Sequence, residues 1–79
     1  MQRTVEEKYK YNKGRKNEFA GGYCIGVDVY RNYVKLSDEG KNAVQKTIDG
    51  FMRNARKGDP LSKGIIAGYR DAANERKKR

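Results

Sequence analysis

Apolar side chains recur at helical spacing over the second half of the chain. Val44, Ile48, Phe51 and Ala55 fall three or four residues apart, flanked by Ala43, Thr47 and Met52. Lys41, Gln45, Lys46, Asp49 and Arg53 take the opposite face. This is an amphipathic helix with one buried stripe. Ser37 suits its N-cap, and Asp38 and Glu39 put negative charge in its first turn. Its end is marked by Lys57-Gly58-Asp59-Pro60. Gly58 can take the left-handed conformation that stops a helix, Asp59 can cap the next one, and Pro60 fits the first helical position. The helix that follows aligns Leu61, Ile65, Tyr69 and Ala72, widened by Ile66 and Ala73. Beyond Ala73 the pattern is wholly polar, and that end is expected to fray or project.

Residues 17–36 carry two patterns at once. Tyr23, Ile25, Val27 and Val29 alternate with Cys24, Gly26 and Asp28, which is a strand signal. Phe19, Tyr23, Val27, Tyr30 and Val34 recur at spacings of four, four, three and four, which is a helical stripe. An internal comparison tips the reading towards helix. Phe19-Ala20-Gly21-Gly22-Tyr23 lies over Ile65-Ile66-Ala67-Gly68-Tyr69 by residue class, and the second copy follows a helix start. A helix gives the glycines a role. Gly22 and Gly26 are four apart, as are Gly64, Gly68 and Ala72, so each helix has a shallow groove through which two backbones approach closely. The strand reading makes Gly26 a bulge or a crossing point instead.

Residues 1–16 read as a basic arm. Val5, Tyr9 and Tyr11 lie on alternate positions, as in a short strand, and Asn12-Lys13-Gly14-Arg15-Lys16 reads as a turn. The expected fold is therefore mainly α: a compact three-helix domain over 17–79, with helices near 17–35, 38–57 and 60–77, preceded by the basic N-terminal arm 1–16. The alternative is α+β, with an N-terminal β-hairpin packed on two helices. The expected core is Phe19, Tyr23, Val27, Tyr30, Val34, Leu36, Val44, Ile48, Phe51, Leu61, Ile65 and Tyr69.

Charge changes the picture. The 79 residues hold 19 Lys and Arg against 10 Asp and Glu, a net charge of +9. The first 16 residues carry net +4 and the last 21 carry net +3, while 17–36 are neutral. There is no His and a single Cys. Histidine-based zinc sites and Ser-His or Cys-His nucleophilic pairs are therefore excluded. No cofactor and no enzymatic activity are expected. Cys24 cannot form an intramolecular disulfide, which fits a reducing, cytoplasmic setting. No apolar run approaches the roughly 18 residues of a membrane span, and Met1–Glu7 lacks the apolar stretch of a signal peptide, so no membrane partner is expected.

The candidate chemistry is basic and aromatic. Lys8, Lys10, Lys13, Arg15 and Lys16 interleave with Tyr9 and Tyr11. Cations displace counterions from phosphates, and aromatic rings stack on bases. A second run, Arg76-Lys77-Lys78-Arg79, closes the chain. Arg31, Asn32 and Tyr33 form a candidate partner-binding set, because Arg and Tyr are enriched at interfaces. The motif Gly22-Tyr23-x-x-Gly26-Val27, the Gly58-Asp59 stop and the closing Arg70-Asp71-Ala72-Ala73-Asn74-Glu75-Arg76-Lys77 run resemble short uncharacterised basic proteins of Gram-positive phages and integrative mobile elements. The resemblance implies an accessory protein that binds DNA, or one that binds and inhibits a host protein. The leading expectation is nucleic-acid binding, to DNA or RNA, through phosphate contacts with little sequence specificity. The rivals are a module docking on an acidic host protein and a homodimer formed through an exposed tyrosine face.

Overall fold

The computed structural model describes residues 3–77, apart from the Lys77 side chain. It contains four helices and, among the described residues, no strand: α1 Val5–Lys13, α2 Glu18–Tyr33, α3 Asp38–Arg56 and α4 Pro60–Lys77. The mainly α expectation holds and the α+β alternative does not. The helix count was short by one, because the expected arm is α1.

Each helix starts where a short polar side chain can take up a free amide. Thr4 accepts from the Glu7 amide at 3.2 Å and donates its hydroxyl to the Glu7 carboxylate at 3.2 Å, a reciprocal cap. Asn17 accepts from Ala20 at 2.7 Å and Ser37 from Gly40 at 3.3 Å. Asp59 accepts both the Ser62 amide, at 3.2 Å, and the buried Ser62 hydroxyl. The α3–α4 junction is the stop that the sequence announced. Gly58 has φ +100, its amide donates to Ala55 O at 3.0 Å, and the Asp59 amide donates to Asn54 O at 3.2 Å. That pairing satisfies the last carbonyls of α3 and requires a left-handed residue, which Gly supplies.

The centre of the fold is the α2–α4 contact. A Cβ on Gly26 would stand 2.8 Å from both the Ile65 carbonyl carbon and the Tyr69 nitrogen. One on Gly22 would meet the Ile65 nitrogen at 2.9 Å, and one on Gly64 or Gly68 would meet Tyr23 backbone at 2.9 Å. The two helices thus touch backbone to backbone through the grooves that the glycine spacing implied. Gly22 faces Leu61–Ile65 and Gly26 faces Ile65–Tyr69, so α2 and α4 run in the same direction. Beside this seam lie two apolar clusters. One joins Val5, Tyr23, Val27 and Ala72 under α1; the other joins Ile48, Ile65 and Ile66 under α3.

The expected core needs three corrections. Phe19 is 42% exposed, and Leu36 and Leu61 are also exposed. Phe19 and Leu61 meet the opposite helix through their carbonyls, which face Gly64 and Gly22, so close backbone contact leaves these side chains outside. Leu36 lies past the end of α2, over Gly40. The molecule measures 34 × 33 × 18 Å between its Cα extremes. This flat shape leaves Val44, Phe51, Met52 and Ala55 of α3 only half-buried.

Candidate nucleic-acid interface

α1 is amphipathic in charge as well as in hydropathy. Its inner side turns Val5 into the core and brings Tyr9 beside it one turn later. The same side is tethered to polar side chains of α2 and α4. The Val5 amide donates to Glu75 at 3.0 Å, and Lys8 pairs with Asp71 at 3.3 Å. The Tyr9 hydroxyl donates to Asp28 at 3.0 Å, and Glu6 pairs with Arg31 at 2.9 Å. Asp71 also accepts the Tyr23 hydroxyl at 2.8 Å. Burial, with that hydrogen bond second, pushes the Tyr23 phenol well above its ordinary pKa. The bond to Asp28, with burial second, raises the Tyr9 phenol. Burial also raises the Cys24 thiol, which makes it a poor nucleophile.

The outer side of α1 is where free positive charge collects. Tyr11 is 50% exposed. The Arg3 guanidinium lies 4.9 Å and the Arg15 guanidinium 5.3 Å from its ring centroid, and Arg15 donates to the Tyr11 hydroxyl at 2.8 Å. Lys10 and Lys16 are exposed alongside. Lys13 is exposed too, with its ammonium 6.0 Å from the Tyr9 ring centroid.

The sequence candidates therefore divide. Lys10, Tyr11, Lys13, Arg15 and Lys16 are gathered on α1 and the turn after it. Lys8 and Tyr9 are taken up by Asp71 and Asp28. Arg31 is held by Glu6 and stacks over Tyr9 at 5.6 Å. Tyr33 joins a tyrosine cluster, 5.9 Å from Tyr30 and 6.1 Å from Tyr69, with Lys41 5.7 Å above its ring. Asn32, the third of that trio, is exposed near the end of α2. Arg3 was missed in the sequence, where nothing linked it to Tyr11; a helix starting at Val5 provides that link.

Arg76, the one residue of the second basic run described with its side chain, is not brought to the Gly14–Lys16 end of the first. Val5 meets Glu75, so α1 begins at the end of α4 and runs back along α2. The Gly14–Lys16 turn leads into the start of α2, whose Phe19 backbone abuts Gly64. Arg76 lies twelve residues further along α4, roughly 18 Å at 1.5 Å per residue. There it lines a groove of about 340 Å³ with Val5, Arg31, Val34 and Lys35. The Lys77 side chain, Lys78 and Arg79 lie outside the described residues.

Comparison with protein-family models, curated proteins and solved structures finds no match. Among the described residues, no helix is long and apolar enough to cross a membrane, and no group of three or more Cys, Asp or Glu is placed to hold a metal ion.

Proposed function

We propose that the protein is a non-enzymatic accessory protein that binds nucleic acid through phosphate contacts, with little sequence specificity. The supporting observation is the Arg3–Tyr11–Arg15 stack on the outer face of α1, with Lys10 and Lys16 beside it. Guanidinium groups held by an aromatic ring are preordered for phosphate, and Tyr11 itself is 50% exposed. Arg76 stands apart from the Arg15–Lys16 end of that cluster. Roughly 18 Å of α4, about twice the screening length of ~8 Å at physiological salt, separates Arg76 from the Arg15–Lys16 end, whereas Arg3 lies towards the Arg76 end, lining a pocket with Asn74 and Glu75.

Fluorescence anisotropy with random single-stranded and duplex oligonucleotides, over a salt series, tests this proposal. Four contacts from Arg3, Lys10, Arg15 and Lys16 give a log–log slope of about −3 to −4. Lys10→Ala flattens that slope by about 1, whereas Tyr11→Ala weakens single-strand binding by about 1–3 kcal/mol at unchanged slope. Absence of binding at low salt refutes the proposal. A second reading, docking on an acidic host protein, draws on the exposed Phe19 and Ile25 side chains. It is supported if a nuclease-treated lysate yields one stoichiometric partner and the oligonucleotides do not bind.

A further inference from the structure

The contacts that hold α1 have an unusual division of labour. The seat is built entirely from α2 and α4: an apolar floor of Tyr23, Val27, Tyr30, Ala67 and Ala72, with Asp28, Asp71 and Glu75 at its rim. The guest is a basic helix of nine residues. A helix that short is marginal in water without packing, so α1 persists by being seated. Its ties are not deeply protected. The Lys8–Asp71 and Glu6–Arg31 side chains are 33–56% exposed. Between α1 and the first turn of α2 lie only Gly14, Arg15, Lys16 and the capping Asn17.

The seat also declares what it accepts. Its occupant is a helix with a small aliphatic residue at the first position, a lysine three residues on and a tyrosine four residues on, its leading amide offered to a carboxylate. Every copy of the chain carries that helix. We infer that the α2–α4 seat is an interaction surface for α1 of a second copy, and that two chains exchange α1 to form a dimer. Exchange conserves each tether and each apolar contact, and only the path through residues 14–17 changes. The closed form holds α1 at an effective concentration on the order of millimolar, so exchange grows as protein concentration approaches that range, and grows further when the link is too short to fold back. This inference is independent of nucleic-acid binding.

Cys24 supplies the probe. Its thiol donates to the Tyr9 carbonyl at 3.5 Å, and in α1 that carbonyl points towards residue 13 one turn on, so residue 13 borders Cys24 across the α1–α2 contact. In Lys13→Cys the full chain can form a 13–24 disulfide within one chain when α1 is closed, and between two chains when it is exchanged. The variant and the parent chain are oxidised side by side at about 10 µM and about 1 mM, below and near the effective concentration, then separated on a denaturing, non-reducing gel. Exchange predicts monomer at the low concentration and a disulfide-linked dimer in the variant at the high one. Monomer at both, or as much dimer in the parent as in the variant, overturns the inference. Deleting Arg15 and Lys16 gives a second measurement by light scattering and circular dichroism. A helical dimer at a concentration where the parent is monomeric supports exchange, and a helical monomer overturns it. If the deletion variant does not fold, the disulfide result decides.

Discussion

Replacing Gly26 with Ala tests the α2–α4 seam most directly. The added methyl would lie 2.8 Å from two α4 backbone atoms, the Ile65 carbonyl carbon and the Tyr69 nitrogen, and closer still to the Ile65 carbonyl oxygen. None of these is the flexible end of a side chain, so the helices themselves must separate. Alanine by itself favours the helix by about 1 kcal/mol over glycine. Overpacking a well-packed contact costs about 1–3 kcal/mol, and parting the helices also loosens Tyr23 and Val27, which are 3% and 0% exposed beside the seam. A net loss of about 2 kcal/mol is expected, or roughly 8–16 °C in Tm for a chain of this size. Gly21 is the control, in the same helix, because a Cβ there meets nothing within 4 Å. Gly21→Ala is expected to stabilise by about 0.5–1 kcal/mol, since only propensity changes. Thermal melts of both variants, followed by far-ultraviolet circular dichroism, read the difference. If Gly26→Ala melts at or above the parent, or if the two variants shift Tm in the same direction, the backbone-to-backbone seam is wrong.

Other expectations rest on single groups. Asp59→Ala removes the α4 cap and leaves the buried Ser62 hydroxyl without its acceptor, so denaturant melts should show a loss of about 1–3 kcal/mol. Stability should fall as pH rises above about 10, because the Tyr9, Tyr23 and Tyr69 phenols titrate higher in the folded chain than in the unfolded one. Their contribution is complete below the unfolded value and is lost as pH climbs through the folded ones. Tyr23→Phe should flatten that alkaline decline in melts run from pH 8 to 11, and an unchanged decline would count against the burial of the Tyr23 phenol and its bond to Asp71.

The parts of this fold that show in the sequence are those with local causes. Ser37, Gly58, Asp59 and Pro60 act on amides and carbonyls within a few residues, so α3 and α4 could be bounded from the chain alone. The Gly22/Gly26 and Gly64/Gly68 spacings likewise pointed to their seam, because a groove is a property of one helix. Residues 17–36 were harder. Glycines and β-branched residues favour strand locally, and the helix is preferred because α4 offers a backbone against which only glycine fits. α1 was misread through Val5, Tyr9 and Tyr11, whose alternation suggests a strand. The stronger signal was Thr4-x-x-Glu7, a reciprocal cap, followed by Val5 and Tyr9 four apart. What could not be read is the use of Asp28, Asp71 and Glu75. Their bonds to α1 span 19, 63 and 70 residues and leave no local trace.

Those three carboxylates bear on where the charge of +9 is felt. Lys8 and Arg31 are neutralised by Asp71 and Glu6, which removes equal numbers of each sign. Asp28 differs, because the bond it accepts from α1 comes from a neutral tyrosine hydroxyl. Glu75 likewise takes the Val5 backbone amide at the positive end of the α1 dipole. Docking α1 therefore directs acidic groups towards neutral or dipolar donors on its inner side and leaves Arg3, Lys10, Arg15 and Lys16 on its outer side. A polyanion approaching α1 from solvent meets these cations and the exposed Glu6 and Glu7 of the same helix, with Asp71 and Glu75 partly buried behind it. The helix that carries the basic cluster thus lies against Asp71 and Glu75, two partly buried acids that would otherwise oppose it.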